Sequence, residues 1–277
     1  MKPSVMKRVV RGIRWIFHDT SMVIKAPKVS IISKAKLLVL YVIYHVLKID
    51  FNKFRIFVSI DGVKYRFISY DELSILAYLE PWMDKYLRVK NGEVFIDVGA
   101  HVGKYALKVA KANPASLVIA IEPGKLQFNA LIDGIRKNNL KNVIPLNIAT
   151  WDSVTRLKLR VYSATGTSTV VMNLMVLDRL MRIEDVEARP LDDVVEELGL
   201  GRVDWVKVDV EGAELHVLRG FRNGIARFRP RIIIEVKESN SEGVFSFFRE
   251  VNYECKHIPE DESSEYYICE PKELVLL

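Results

Sequence analysis

Four carboxylates follow apolar runs in this chain. Asp97 comes in the run Val94 to Val98, and Glu122 closes Leu117 to Ile121. Asp152 ends the stretch that begins with Val143 to Leu146, and Asp209 ends the run from Trp205. Short apolar runs bounded by turn residues read as buried strands of a parallel sheet. In an open parallel sheet, ligands bind beyond the carboxyl ends of the strands, near the point where the strand order reverses. Four acidic strand ends therefore predict one acidic rim. Two of them lead into glycine turns, Gly99 and Gly103 after Asp97 and Gly212 after Asp209. Glycine lets the backbone approach a ligand closely, and the helix opening behind it offers unpaired N–H donors.

The glycine spacing narrows the ligand. A dinucleotide fingerprint needs G-x-G-x-x-G around a pyrophosphate, and here a carboxylate stands where a phosphate would be repelled. An acidic strand end beside a glycine loop suits a ligand with positive charge, such as the amino group of S-adenosylmethionine. Glu122, roughly 20 residues beyond the loop, is placed to take both hydroxyls of a ribose. The segment Ala149-Thr150-Trp151-Asp152 suits an adenine slot, with a flat wall and an acceptor for the exocyclic amine; Trp151 reads equally as a lid on the core. The candidate cofactor residues are Asp97, Gly99, Ala100, His101, Gly103, Glu122, Pro123, Trp151 and Asp152.

The elements that must position these groups follow in order. Phe54 to Ile60 and Val63 to Ile68 flank Asp61-Gly62, a strong hairpin signal. Asp71 to Leu87 is helical in pattern, broken at Pro81. Helices are expected over Lys104–Lys111, Lys125–Lys137, Pro190–Leu198, Ala213–Arg219 and Ser241–Val251. Arg156 to Tyr162 and Arg182 to Ala188 read as extended, around a polar loop from Ser163 to Thr169 that could hang over the site. Ile232 to Val236 is a fifth buried strand, and Tyr253–His257 with Tyr266–Glu270 could pair antiparallel.

Length and charge frame the rest. The 277 residues, 49% hydrophobic, allow one large α/β domain and an appendage. The net charge is +6, but residues 1 to 50 hold ten Lys/Arg against Asp19 and Asp50, or +8, leaving −2 for the remainder. The expected division is a basic amphipathic helical segment over 1–52 and a catalytic domain over 53–277. Val5 to Phe17 and Ser33 to Lys48 read as its helices, and the apolar run from Leu37 is too short to span a bilayer. Three roles compete for this segment: a helical cap on the main domain, peripheral membrane contact, and contact with nucleic acid. Cys255 and Cys269, the two cysteines, read as free thiols in a reducing cytoplasm rather than as a bridge across a C-terminal hairpin. Gln127 is the single glutamine among abundant Lys and Glu, a bias that resembles a thermophile's.

The segments VFIDVGAHVGKYAL, AIEP, ATWD and WVKVDVEGAELHVLRG resemble the FkbM family of S-adenosylmethionine-dependent methyltransferases, over roughly residues 54 to 270. The resemblance implies an α/β, Rossmann-like class I methyltransferase fold with a mostly parallel seven-stranded sheet and helices on both faces. It implies that the Asp97–Gly103 loop holds the methionine end of the cofactor, Glu122 the ribose and Asp152 the adenine. The family mostly methylates hydroxyl oxygens of sugars or polyketide-like compounds. His101 is a departure, since asparagine is more usual there.

For methyl transfer the sulfonium is already activated, so the protein must place the acceptor oxygen in line and remove its proton. Asp209 is the candidate base or acceptor-orienting group, with Glu211 behind it in the turn. Lys207 lies deeper on the same strand face and could tune Asp209. Asp209, Glu211 and Glu235 could together hold Mg²⁺, but no His/Cys ligand spacing accompanies them, and no metal is assigned. His216 reads as a partly solvated helix residue. The expected acceptor is a small molecule or glycan. Two other functions compete: an RNA methyltransferase gripping phosphates with its basic segment, against which the −2 body speaks, and a non-catalytic S-adenosylmethionine-binding module.

Overall fold

A computed structural model describes residues 20–21, 23–47, 54–69, 75–78, 80–162, 168–170, 180–260 and 266–272, without the side chains of 41–47. The helix expected over Val5–Phe17 and residues 163–167 of the polar loop lie outside that description. The chain forms two compact units, Met1–Pro81 and Trp82–Leu277.

In the first unit, helix α1 (Ile31–Leu47) precedes strands β1 (Phe57–Ile60) and β2 (Val63–Arg66). The strands pair as a hairpin with Ile60 opposite Val63. Asp61 and Gly62 both take positive φ, 52° and 77°, the backbone that the Asp-Gly signal demands. The hairpin groups with the helix ahead of it because β1 bonds that segment directly. The Ser59 N–H donates to Ser33 Oγ at 2.8 Å, the Ser30 N–H donates to the Ser59 carbonyl at 3.0 Å, and Val29 bridges Ile60.

The second unit runs α2 (Met83–Tyr86), β3 (Val94–Val98), α3 (Lys104–Ala112), β4 (Leu117–Ile121), α4 (Lys125–Lys137) and β5 (Val143–Leu146). There follow β6 (Ala149–Thr150), β7 (Thr155–Tyr162), β8 (Leu180–Arg189), α5 (Leu191–Glu197), β9 (Trp205–Val208), α6 (Glu214–Gly220) and α7 (Arg222–Phe228). β10 (Arg231–Glu235), α8 (Ser241–Glu250), β11 (Tyr253–His257) and β12 (Tyr266–Pro271) complete it. Seven strands form one sheet in the order β11-β12-β10-β9-β3-β4-β5. β12 is antiparallel to both β10 and β11, and the other pairs are parallel. The order reverses between β3 and β9: the chain steps outward through β4 and β5, then returns to the other side of β3. The loops after β3 and β9 therefore meet at the switch point.

All five residues of β3 are buried, as a central parallel strand requires. Its alternate residues Ile96 and Val98 join Val206, Val208, Ile232 and Ile234 in a core closed by Val194 of α5, Val217 and Leu218 of α6, Ile225 of α7 and Phe248 of α8. Period-two alternation sends Asp97 and Lys207 to the opposite face. That face is α3's, since the Ala106 N–H donates to Asp97 Oδ2 at 3.0 Å.

Two features depart from expectation. β6, β8 and β7 form a separate three-stranded sheet, with its own small core of Ala149, Leu159, Val161, Val186 and Ala188. The cysteines are not free thiols: Cys255 stands directly opposite Cys269 in the β11–β12 ladder, and the two are joined as a disulfide with Cα atoms 4.0 Å apart. Register decides this, and the length of the connecting loop conceals it in sequence. The cysteines therefore give no support to a reducing compartment. No helix of the described residues is long and apolar enough to cross a membrane.

Candidate active site

The loop after β3 is shaped by what it must avoid. Gly99 has φ 82°, and a Cβ there would sit 1.8 Å from the Asp209 carbonyl oxygen. Only glycine lets the β3 and β9 loops close at the switch point. The Gly99 and Ala100 N–H groups donate to the Ile121 carbonyl at 3.0 and 2.9 Å. His101 follows at φ 54°, a left-handed position that Asn and His tolerate better than other side chains, so the exchange of one for the other has a backbone reason. Gly103 (φ 90°) precedes α3, where a Cβ would come within 2.7 Å of Leu107 and Leu131. Asp97 is fully buried and spends an oxygen on α3's first turn. It positions the loop from beneath and presents no open carboxylate.

Glu122 is nearly buried, and both its oxygens are directed. The His101 N–H donates to Oε2 at 2.9 Å, and the Gly124 N–H donates to Oε1 at 2.8 Å. The carboxylate is thereby aimed by backbone donors from the loops after β3 and β4. Asn147 clamps the segment from behind, its Nδ2 donating to the carbonyls of Glu122 at 2.8 Å and Pro123 at 2.9 Å.

Asp152 leaves β6 of the smaller sheet, so the rim of the main sheet carries Asp97, Glu122 and Asp209 but not Asp152. Its place among the strand-end carboxylates is taken by Glu235, the last residue of β10. Trp151 stacks on His216, with centroids 3.5 Å apart and planes 11° from parallel. His216 Nδ1 lies 2.6 Å from Asp152 Oδ2. His216 is thus a member of the Trp151–Asp152 group and not simply a solvated helix residue. Gly220, at the end of α6, explains how α6 comes so close: a Cβ there would stand 2.1 Å from the Trp151 carbonyl oxygen.

The densest chemistry lies at the ends of β9 and β10. Lys207, buried at 1% exposure, donates from Nζ to Asp209 Oδ2 at 2.8 Å, the tuning contact that strand alternation predicts. The Tyr266 hydroxyl donates to the same oxygen at 2.8 Å. Lys237 Nζ lies 3.0 Å from Glu211 and 2.8 Å from Glu235. Acceptor oxygens of Asp209, Glu211 and Glu235 lie within 4.8 Å of one another, a set that could surround a cation. Lys237 already supplies positive charge there.

Three carboxylates against two ammoniums separate in proton affinity. Burial raises Asp209, but the Lys207 charge and hydrogen bond, the Tyr266 hydroxyl and the Lys237 charge outweigh it and hold it at about 2. Burial, then the Asp209 charge, raises Glu211 against the pull of Lys237. The same causes push Glu235 up to about 8. Burial lowers Lys237, and the Glu235 and Glu211 anions more than offset it, so it stays protonated. A carboxylate at about 2 is a weak base at neutral pH. Asp209 is thus a hydrogen-bond acceptor more than a base, and Glu211 holds a proton more tightly than it does.

The turn carrying Glu211 is fixed by its neighbours. Glu211 and Gly212 both take positive φ, 53° and 104°. Buried Glu214 accepts the Gly212 N–H at 2.7 Å and Asn240 Nδ2 at 2.9 Å. Thr169, from the β7–β8 connection, donates its hydroxyl to the Glu211 carbonyl at 2.7 Å. Thr169 ends the polar loop expected near the site, but sequence reasoning missed Lys237, Tyr266 and Asn240. Lys237 alone left a signal, two residues beyond a strand-end carboxylate as a mirror of Lys207 and Asp209. Tyr266 arrives by register, opposite Glu235.

A family model described as the methyltransferase FkbM domain matches residues 97–257, more than half of the chain. Methyltransferase sdnD of Sordaria araneosa is 28% identical over 193 residues, covering 59% of this chain and 74% of that protein. Methyltransferase 1 of Beauveria bassiana is 25% identical over 163 residues, covering 53% of this chain and 66% of that protein. Among solved structures, the methyltransferase FkbM of Methylobacillus flagellatus KT superposes with a TM-score of 0.50 at 15% identity, over 95% of this chain. This chain spans 60% of that structure's length, and the likeness is one of fold.

Proposed function

We propose that this chain, which belongs to the FkbM methyltransferase family, uses S-adenosylmethionine to methylate a hydroxyl oxygen on a glycan, a lipid-linked sugar or a small metabolite. The observation that carries the reading is the division of labour among carboxylates around the switch point. Glu122 is fixed by two backbone donors just beyond the carboxyl end of β4, the place from which an acidic residue takes a ribose diol in such sheets. Gly99, whose Cβ position is barred by the Asp209 carbonyl, keeps the neighbouring loop closed against β9. When bound, the cofactor supplies an activated methyl group on a sulfonium. The protein then has two tasks, to aim the acceptor oxygen and to receive its proton. Asp209, ionised and pinned by Lys207 and Tyr266, accepts the hydroxyl's hydrogen bond and aims its oxygen. The proton passes on from there to Glu211, whose proton affinity burial and the Asp209 charge raise and whose carboxylate lies within 4.8 Å of Asp209's, as the oxygen gains the methyl group and sulfur keeps the bonding pair.

Calorimetry with S-adenosylmethionine tests the cofactor half. The parent protein binds it, and Glu122→Ala weakens binding by more than about tenfold, the loss of a charged hydrogen-bond acceptor. A parent that binds none sinks the reading. Labelled methyl transfer to fractionated extract of the source cell tests the acceptor. Label that is stable to base and lost to glycosidase or lipid extraction identifies a glycan or lipid-linked hydroxyl; label in RNA refutes the acceptor class.

A further inference from the structure

The outward face of α1 has a composition of its own. Its inward face, Ser33 and Leu37, is buried on the hairpin. On the opposite side, Ile31 is 84% exposed, Ile32 83% and Val39 59%, with Ile24 just ahead of the helix at 58%. At 100° per residue, Ile31, Ala35, Val39 and Ile32 fall in one stripe about 100° wide, Lys34 flanks it on one side and Lys36 on the other. Ala35, Lys36 and Lys25 are exposed as well. Lys34 and Lys36 rest their ammoniums on backbone carbonyls of Ile24 and Phe57 at 2.7 and 3.3 Å, so each is held at the flank with donors remaining.

A solvated helix would place charge on this face, and a helix packed in a core would have no flanking lysines. An apolar stripe with a lysine on each flank is the pattern of a helix lying in a membrane interface, with apolar side chains in the acyl boundary and ammoniums at anionic headgroups. The +8 carried by residues 1 to 50, against −2 for the rest, gives the same direction of approach. We propose that the Ile31–Ile32–Val39 face of α1 seats this protein on the surface of a membrane rich in anionic lipid. The proposal is independent of the methyl acceptor.

Co-sedimentation of the full chain with phosphatidylcholine vesicles, with and without 30% phosphatidylglycerol by design, tests it. Anionic vesicles bind the parent, binding falls as salt is raised, and neutral vesicles bind far less. Ile31→Glu/Ile32→Glu lowers the partition by more than about tenfold, with an unchanged melting temperature because both side chains are already in water. Lys25→Gln/Lys34→Gln/Lys36→Gln lowers it by on the order of fivefold per lysine. Equal binding by parent and the double glutamate variant overturns the proposal, as does binding indifferent to lipid charge or absent from both vesicles. A parent that self-associates where the glutamate variant is monomeric also overturns it, and assigns the face to a second copy of the chain.

Discussion

Glu235→Gln isolates the proton that the carboxylate cluster retains. In the folded chain Glu235 titrates at about 8 against an ordinary value of 4.5. Between those limits the folded state holds a proton that the unfolded chain has released. Stability from this residue is therefore complete below about pH 4.5 and declines as pH rises through 8. Each pKa unit is about 1.36 kcal/mol, so the ceiling on the decline is about 5 kcal/mol. The other charges in the cluster do not cancel it in this window: Glu211 is also raised, so its contribution declines in the same direction with pH in parent and variant alike. Lys237 is raised, so its contribution is lost only above the ordinary lysine range. Asp209 at about 2 supplies stability that is present above about pH 4 and lost toward pH 2. Glutamine keeps the shape and cannot titrate. Urea unfolding midpoints at pH 5, 6, 7 and 8 are the measurement. Parent and variant should agree within about 1 kcal/mol at pH 5 and diverge upward, with Glu235→Gln the more stable by several kcal/mol at pH 8. Parallel curves, or a variant less stable than the parent at pH 8, refute the reasoning.

Asp209→Asn should reduce methyl transfer by at least about a hundredfold while S-adenosylmethionine affinity by calorimetry stays within about threefold; loss of both together would make Asp209 a scaffold residue. Gly99→Ala forces a Cβ to 1.8 Å from the Asp209 carbonyl at φ 82°, so cofactor binding should disappear and stability should fall by roughly 3 kcal/mol or more. His216→Ala releases Asp152 and unstacks Trp151; cofactor affinity should weaken by about tenfold with the saturated rate within about twofold. Reduction of the Cys255–Cys269 bridge, which closes a separation of 14 residues, should cost about 3 kcal/mol in urea unfolding, read by comparing midpoints with and without reductant.

Much of the site was legible because parallel α/β sheets expose it in one dimension. A fully buried strand must be a run of apolar residues, and the first polar residue beyond it lands on the rim. That placed Glu122 and Asp209 at strand ends, while Asp97 proved to lie within β3, fully buried under the loop. Strand alternation also placed Lys207 beneath Asp209. The same logic failed for Asp152, because β6 is only Ala149–Thr150 and pairs with β8, a choice made by the separate small core and not by any periodicity in the sequence. The helix α7 was not foreseen either: Gly220 closed the expected helix, and Phe221 alone separates α7 from it.

By itself the sequence determined the strand–turn–helix units, the glycines whose positive φ or close contacts exclude other residues, and the charge asymmetry between the first fifty residues and the rest. Those are local properties, set by backbone sterics and by the need to bury apolar runs. Tertiary structure decided which carboxylates share a cation, which one retains a proton, and which cysteines meet. Lys237 joins Glu211 to Glu235, Tyr266 reaches Asp209 across an antiparallel register, and His216 closes on Asp152 because Gly220 lets a helix touch the Trp151 backbone. Each depends on a distance between residues far apart in the chain. Coulomb energies and hydrogen bonds vary steeply with such distances, and no pattern of neighbours along the sequence encodes them.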